Sequence, residues 1–313
     1  MKAVDWEHPP GLPGRRGTVA TVGTFDGVHR GHWTVVSEIC RRARSTGRHS
    51  VLVTFDPHPL RIVRPEHAPP ALTTPVEKKE ILAESGLDYA VFLSFTEALS
   101  HYQPRRFVEE VLVGRLRVEE LVIGYDHGFG RDRSGDPETL RKIGEELGFV
   151  VDVVPPVSFG TEAVSSSRIR RMLSEGRVSE VIGPLGRPYS LRGTVVHGEG
   201  RGTKLGFPTA NLAVDDPEKL VPLEGVYAVR AVLKSGSYIG ALHVGPRPTF
   251  EDSPPSVEVH LLDFDRKIYG EVVRIDFFER LRGVQSFSGV DALLDQIHRD
   301  VEQARQVVSG TGR

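Results

Sequence analysis

The first half of the chain alternates short β-branched runs with longer stretches of helical spacing, and this alternation restricts the possible folds more than any other feature. Pro75 begins one helical interval and Gly86 follows it, the usual placement of proline and glycine around a helix. The expected strands are residues 18–22, 51–55, 89–93, 121–123 and 150–154. Strands that alternate with helices predict a parallel, doubly wound sheet, whose ligands bind at the carboxyl ends of the strands.

The sequence pattern changes after the Gly/Pro-rich stretch of residues 183–188, which shows no helical period. We place a domain boundary there, with residues 1–17 as an N-terminal extension, 18–183 as a first domain and 184–313 as a second. Short strands separated by turns predict a small antiparallel β-barrel, with strands at residues 191–197, 226–233, 238–244, 257–262 and 272–278. A final helix is expected to pack on this barrel through Val290, Leu293, Leu294, Ile297, Val301, Ala304 and Val308.

The charge balance and the cysteine content exclude several classes of protein. With 40 Lys and Arg against 42 Asp and Glu, the chain has no basic field, so we expect no nucleic-acid partner. No apolar run reaches the ~18 residues that cross a bilayer, and we expect no membrane partner. Cys40 is the single cysteine, and the first ten residues lack the apolar core of a signal peptide. We therefore expect a cytoplasmic protein; no pattern in the sequence specifies an oligomeric state.

Residues 21–32 run from the end of the first expected strand through a glycine-punctuated turn into a helix. His29 and His32 lie on one face of the helix start, where free backbone N–H groups and the helix dipole favour phosphate. Gly31 between them permits close approach of a nucleotide. The pair is a candidate for stabilising the charge that builds on ATP phosphates during nucleotidyl transfer. By spacing alone, two surface or helix-capping histidines are the commoner case.

Three later segments, residues 55–59, 124–131 and 165–171, follow strands of the expected sheet. The last combines three serines with arginines, which suit phosphate, although a plain helix cap with a basic surface has the same pattern. The Pro-His-Pro of residues 57–59 is, by itself, typical of a rigid loop. A zinc site is a further alternative, but its spacing is not that of the metalloprotease motif and no Glu base accompanies it. That alternative would use His29, His32, Asp56 and His58.

Residues 193–212 form the densest motif of the second half. A glycine-rich loop after a strand wraps phosphates with backbone N–H groups, and Thr209 and Asn211 offer side-chain oxygens to a magnesium ion or a nucleotide. The alternative is a mobile hairpin followed by a buried Pro-Thr turn. Downstream, Glu258 interrupts an apolar alternation, and such a carboxylate ordinarily faces solvent.

In this order, the segments resemble the bacterial bifunctional riboflavin kinase/FAD synthetase family. Residues 23–32 match its Gly-x-Phe-Asp-Gly-Val-His-x-Gly-His start, and residues 55–59 match its Phe-Asp-Pro-His-Pro loop. Residues 205–212 match its riboflavin kinase signature nearly residue for residue, and residues 244–250 and 256–261 match later blocks. The resemblance implies an α/β, Rossmann-like nucleotidyltransferase domain with a parallel doubly wound sheet, then a small antiparallel β-barrel with a C-terminal helix.

For the nucleotidyltransferase half, the resemblance implies that His29 and His32 are catalytic and that Pro57, His58 and Pro59 border the flavin. It implies that ATP is bound by Gly23, Phe25, Asp26, His29, His32, Asp126, Ser166 and Arg168. The family commonly has an aromatic and a basic residue where this chain has His127 and Gly128, so the pocket is expected to differ there.

For the kinase half, the resemblance implies that Thr209 and Asn211 hold Mg²⁺ and that Glu258 is the base for the ribityl hydroxyl. ATP would be bound by Gly200, Gly202, Lys204, Gly206, Pro208, Thr209 and Asn211. The flavin would be bound by His243, Arg247, Glu258, Arg282 and Phe287. Three positions depart from the family: His243 replaces Asn, and Val284 and Ser286 replace an acidic and a basic residue.

The resemblance implies two reactions in one chain. Riboflavin is phosphorylated with Mg-ATP to FMN, and FMN then receives AMP from a second ATP to give FAD and pyrophosphate. One alternative is that only one of the two activities is retained. Another is a non-catalytic regulator that binds a nucleotide or RNA, although RNA-binding barrels usually show a basic stripe with exposed aromatics and the second half mixes acids with its bases.

Overall fold

The fold is seen in a computed structural model that describes residues 1–5, 17–125, 135–198, 200, 202, 205–245 and 256–311. The chain divides into two compact units, Met1–Ser166 and Ser167–Arg313. The division falls earlier than residues 183 and 184, between which the boundary is predicted from the sequence. Across the described residues, no helix is both long and apolar enough to cross a bilayer.

The first unit is built on a six-stranded sheet in which every neighbouring pair is parallel. Its strands are β1 (Lys2–Asp5), β2 (Thr18–Val22), β3 (His49–Asp56), β4 (Tyr89–Ser94), β5 (Val118–Gly124) and β6 (Val150–Val154). Their order across the sheet is β1-β4-β3-β2-β5-β6. The predicted parallel sheet is confirmed, and β2 and β3 end side by side at one edge.

Helices cover both faces of this sheet. They are α1 (Arg30–Thr46), α2 (Pro59–Val63), a 3-10 turn (Pro65–His67), α3 (Pro75–Ala83), α4 (Glu97–Ser100), α5 (Pro104–Phe107), a π-helical stretch (Val108–Val113) and α6 (Pro137–Leu147). Ile39 of α1 joins the apolar cluster that contains Leu52, whereas Leu140 of α6 joins the cluster on the opposite face with Leu121. Successive strand residues point to opposite faces, so each helix layer has its own core.

Strand β1 lies within the segment predicted to be an N-terminal extension. It pairs with β4 in parallel, with Lys2 opposite Tyr89. Its four residues begin and end with a charged side chain and show no strand-like run, so the sequence carries no local signal for it. The strand forms because β4 offers an unpaired edge, which is a tertiary rather than a local cause.

A two-stranded hairpin, β7 (Ser158–Phe159) and β8 (Glu162–Ala163), precedes helices α7 (Ser166–Ser174) and α8 (Ile182–Leu185). Helix α8 lies in the junction that was expected to be irregular. The junction's glycine and proline serve as helix punctuation here, since Gly186 ends α8 with a left-handed φ of 77°.

The second unit is a closed six-stranded barrel of order β10-β13-β12-β11-β14-β9. Its strands are β9 (Tyr189–Val196), β10 (Ala210–Val214), β11 (Gly225–Leu233), β12 (Gly236–Gly245), β13 (Ser256–Leu261) and β14 (Val272–Arg282). All neighbouring pairs are antiparallel, which confirms the predicted barrel. Strand β10 was not predicted, because its first three residues belong to the signature motif; it closes the barrel between β9 and β13.

The last helix, α9 (Val290–Gly310), packs against β11, β12 and β14. Ala304 and Val308 are buried in a cluster with Ala228 and Phe278, as predicted for this face. Val290 is 56% exposed, contrary to the prediction, because only the second half of α9 reaches this cluster. The remaining predicted positions, Leu293, Leu294, Ile297 and Val301, are half-buried.

Candidate active sites

The turn that links β2 to α1 has an unusual backbone. Phe25, Gly27 and Val28 all have positive φ, at 46°, 82° and 39°. This region is unfavourable for a side chain with a Cβ, and most of all for a β-branched residue such as valine. The turn therefore depends on its surroundings to keep this shape.

Asp26 supplies one set of contacts that hold the turn. Its carboxylate is 3% exposed and accepts from the backbone N–H of Leu72 and of Thr73, each at 3.0 Å, and from Thr73 Oγ1 at 3.1 Å. Thr73 Oγ1 in turn accepts from the backbone N–H of Gly27 at 3.0 Å. In this structure Asp26 anchors the turn to the loop before α3; a contact of Asp26 with ATP stays a prediction.

His29 and His32 cap helix α1 reciprocally. His29 Nδ1 accepts from the backbone N–H of His32, and His32 Nδ1 accepts from that of His29, both at 3.3 Å. The two rings stack 3.6 Å apart at 14°. A ring nitrogen that accepts a hydrogen bond carries no proton, so each neutral imidazole holds its proton on Nε2. The capping interpretation is thus confirmed, and the caps leave Nε2 as the donor atom of each ring.

Gly31 stands between the two histidines for a steric reason. A Cβ at this position would lie 3.2 Å from Cε1 and Nδ1 of His29 and 3.9 Å from the Val164 carbonyl oxygen. Any larger residue would therefore press on the His29 ring, which is only 6% exposed. Glycine keeps the stacked pair in place.

The later segments that were expected to bind ATP are described in part. Ser166, at the start of α7, donates from Oγ to the Asp26 carbonyl oxygen at 2.9 Å, so this serine reaches the turn. Arg168 follows two residues later in α7 and is half-buried, within the second unit. Asp126, His127 and Gly128 lie outside the described residues.

The loop after β3 leaves the sheet next to the β2 turn, because Val22 and Val53 are partners in register and Gly23 donates its N–H to the Val53 carbonyl at 3.0 Å. His58 caps α2, its Nδ1 accepting from Leu60 N at 3.2 Å. Pro57 is exposed and Pro59 is half-buried. Among the described residues, no three His, Cys, Asp or Glu are grouped to hold a metal, so the four side chains of the zinc alternative form no such site.

Sequence reasoning missed Lys78. This lysine is 7% exposed in α3 and donates from Nζ to the Thr24 carbonyl oxygen at 2.7 Å. Burial lowers the pKa of its ammonium group. Only its place in the fold distinguishes it from its neighbour Lys79, since the two adjacent lysines look alike in the sequence.

The predicted kinase residues form a row across the outer face of the barrel. Asn211 is the register partner of Glu258, which is the partner of His243 on its other side. The row continues through Val226 to Arg282. Asn211, His243 and Glu258 alternate along their strands with buried residues that fill the barrel, namely Leu212, Leu242, Val244, Val257 and Val259. Side chains of register partners share a face, so the row brings together residues from five strands.

Three residues with oxygen-bearing side chains lie at one end of this row. Thr209 Oγ1 donates to Glu258 Oε2 at 3.3 Å, and Asn211 follows on β10 beside Glu258. Hydroxyl, amide and carboxylate oxygens are hard donors of the kind that Mg²⁺ prefers. The donor set therefore fits the magnesium ion that the resemblance implies.

The described part of the glycine-rich loop is compact. Gly202 accepts from the N–H of Leu205 and of Phe207, at 3.0 and 2.9 Å. A Cβ at Gly202 would lie 2.3 Å from the Phe207 carbonyl oxygen, so this approach requires glycine. Gly200 and Gly206 have left-handed φ values of 68° and 83°. Lys204 lies outside the described residues.

Phe207 and Pro208, which follow the glycine-rich loop, contact β13 and α9. Pro208, through its carbonyl, is hydrogen-bonded to the His260 ring at 2.8 Å. The Phe207 ring meets the edges of His260 and His298, with centroids 5.4 and 4.9 Å away. These contacts tie the segment before β10 to β13 and to α9.

Arg282 connects the other end of the row to α9. Its guanidinium makes a paired contact with the Asp300 carboxylate, with Nη2 at 2.8 Å from Oδ2 and Nε at 3.0 Å from Oδ1, and Asp300 is 4% exposed. The cation also lies 5.6 Å from the ring centroid of Phe287. Arg282 thus has a packing role, and its contact with flavin stays a prediction. Arg247 lies outside the described residues.

His243 has an altered pKa. Burial lowers the pKa of its imidazole below the ordinary 6.5, and Arg282 adds to this, while Glu258 and Glu224 oppose it. The unfolded chain therefore binds this proton more readily than the folded protein does, so the stability from this group is complete above about pH 6.5 and falls below it.

The lowered pKa of His243 predicts that the stability of the His243→Asn variant depends less on acid pH than that of the wild type. Between about pH 7.5 and 5.5, the melting temperature of the wild type is expected to fall further than that of the variant, because the variant has no such proton to take up. Thermal unfolding followed by circular dichroism at the two pH values measures the difference. Equal decreases in the two proteins contradict it.

Comparison with known proteins finds a separate family match in each half of the chain. A family model described as FAD synthetase matches residues 13–168, and one described as riboflavin kinase matches residues 185–308. A bifunctional riboflavin kinase/FMN adenylyltransferase from Listeria monocytogenes is 36% identical over 92% of this chain and 91% of its own length. The chain belongs to the bifunctional riboflavin kinase/FMN adenylyltransferase family.

Other relatives in the family span nearly the whole chain. Proteins of the same name from Escherichia coli and Bacillus subtilis are 34% and 33% identical, each over at least 97% of both chains. A crystal structure from Streptococcus pneumoniae, whose title names a macrolide-efflux protein, is 30% identical and superimposes with a TM-score of 0.88. It covers 97% of this chain and 99% of the other, so the similarity includes both units.

Proposed function

We propose that this chain phosphorylates riboflavin to FMN in the barrel unit and adenylylates FMN to FAD in the sheet unit. The observation that carries the proposal is that both units keep the chemistry of the family's motifs: a stacked histidine pair at a helix start, and Glu258 beside Thr209 and Asn211. Riboflavin, FMN and FAD are then substrates and products, and ATP serves both steps. The cytoplasm stays the expected location.

In the sheet unit, the histidines act through hydrogen bonds and need no covalent nucleophile. A phosphate oxygen of FMN attacks the α-phosphorus of ATP, the bond to the β-phosphate bridging oxygen breaks, and pyrophosphate leaves. Nε2–H of His29 and of His32 donates to the phosphate oxygens on which negative charge builds. Because both Nδ1 atoms are held by the cap, these donors are oriented before the nucleotide arrives.

In the barrel unit, Glu258 accepts the proton of the ribityl hydroxyl as its oxygen attacks the γ-phosphorus of ATP. ADP leaves, and FMN forms. Thr209 and Asn211 are the residues that would hold the Mg²⁺ of Mg-ATP. The bound ion would neutralise the negative charge of the phosphates. His243, held uncharged by its lowered pKa, places no second positive charge beside Arg282.

A single assay tests the proposal. The purified protein is incubated with riboflavin, ATP and Mg²⁺, and the flavins are separated by chromatography. Both FMN and FAD are expected. FMN without FAD would remove the adenylyltransferase activity from the proposal, while salt-sensitive RNA binding without flavin turnover would favour the regulatory alternative.

A further inference from the structure

The side chain of Lys78, on α3, contacts the β2–α1 turn. One turn into α3, its Nζ donates to the Thr24 carbonyl oxygen at 2.7 Å and to Thr54 Oγ1 at 3.3 Å. Thr54, on β3, donates from the same Oγ1 to the Thr24 carbonyl at 2.9 Å. The carbonyl just before Phe25 is thus held by two donors, one from a helix and one from the neighbouring strand.

The segment of residues 72–78 therefore holds the turn at three points. Asp26 accepts from the backbone of Leu72 and Thr73, Gly27 donates to the Thr73 hydroxyl, and Lys78 donates to Thr24. Between these points lies Phe25, the first of the positive-φ residues. A backbone in an unfavourable region persists only where its surroundings over-determine it. Lys78 is the one charged side chain that donates to the turn among these three contacts.

Burying the ammonium group of Lys78 costs desolvation free energy. Taking the charge out of water lowers the pKa of Lys78, and the carboxylates of Asp26 and Asp56 offset part of that effect. An apolar side chain of similar volume would fill the space without the desolvation cost. Packing alone does not explain a lysine here, whereas the need to hold the Thr24 carbonyl does.

We propose that Lys78 is a positioning residue for adenylyl transfer. It touches no reacting atom; it fixes the Thr24 carbonyl and the Thr54 hydroxyl, and through them the turn that presents His29 and His32 to the phosphates. The contacts that support this role are the two hydrogen bonds of Lys78 Nζ, to the Thr24 carbonyl and to Thr54 Oγ1. The inference rests on the proposed function of the sheet unit.

The test replaces Lys78 with methionine, an unbranched apolar side chain of similar size that has no hydrogen-bond donor. With FMN and ATP supplied, kcat for FAD formation is expected to fall about 100-fold, since a displacement of about 1 Å at a reacting centre has an effect of this size. The KM values for ATP and FMN should change less than kcat. Lys78→Gln, whose amide restores a donor, should recover part of the loss.

Lys79→Met is the matched control, because Lys79 occupies the next position of α3 and its Nζ lies 4.8 Å from the Phe92 ring centroid, whereas the Thr24 carbonyl is held by Lys78. It should keep the wild-type kcat. FMN formation from riboflavin, measured on the same samples, should be unchanged in every variant. Circular dichroism establishes whether each variant is folded.

Thr54→Val provides a second route if Lys78→Met does not fold, since valine matches threonine in shape and lacks only the hydroxyl that bonds to Lys78 and Thr24. A smaller loss of kcat in FAD formation is expected. Folded Lys78→Met with the wild-type kcat overturns the inference, and so does unfolded Lys78→Met together with Thr54→Val at the wild-type rate. Absence of FAD formation by the wild type refutes the proposed function itself, which is a separate result.

Discussion

Replacing His32 with glutamate is expected to reduce FAD formation from FMN and ATP by about a thousandfold, an effect typical of losing an oriented transition-state donor. Glutamate is a favoured residue at this third helical position, and its carboxylate accepts from the cap residue's backbone N–H as His32 Nδ1 does. The helix start should therefore survive. The variant loses the Nε2 donor and places a negative charge opposite the phosphates. Initial rates with FMN supplied directly measure the effect.

His101→Glu is the control for this experiment, since His101 is an exposed histidine of the same unit, at the end of α4. It should form FAD at the wild-type rate. Both variants should phosphorylate riboflavin normally and unfold near the wild-type melting temperature. FAD formation by His32→Glu at the wild-type rate contradicts the phosphate role and leaves the histidine pair as a cap only.

Glu258→Gln is expected to lower FMN formation from riboflavin by about a thousandfold, within the range for removal of a general base. Glutamine has nearly the same shape, and its amide oxygen still accepts from Thr209 Oγ1, so the barrel should keep its fold. The amide takes up no proton from the ribityl hydroxyl. The rate of FMN formation with riboflavin and Mg-ATP, followed by chromatography, measures the effect.

Glu302→Gln serves as the control, because Glu302 is exposed on α9 and accepts a hydrogen bond from Gln306 of the same helix. It should phosphorylate riboflavin at the wild-type rate. If Glu258→Gln keeps the wild-type rate, Glu258 is not the base, and the contact with Thr209 is structural.

The parallel sheet and the barrel were predictable because most of their strands have a recognisable local sequence pattern. Runs such as residues 51–55 are apolar and β-branched, and the helices between them begin and end at prolines and glycines. Strands β1 and β10 were missed for the opposite reason. Each has only four or five residues and forms because a neighbouring strand offers an edge.

The site residues divide in a similar way. His29 and His32 were found because three-residue spacing at a helix start is a local pattern, although their stacking and reciprocal caps were not predictable. The row that joins Asn211, Glu258 and His243 depends on strand register, which no local pattern specifies. Lys78 depends on how α3 packs on the sheet, a tertiary property.

One measurement tests most directly the claim that two separate sites act in sequence on one chain. The Glu258→Gln protein is supplied in parallel with riboflavin and with FMN, each with ATP and Mg²⁺, and FAD is quantified by chromatography. The two-site account predicts FAD at the wild-type rate from FMN and almost none from riboflavin. Loss of FAD formation from both substrates in a folded protein, or its retention from both, would contradict it.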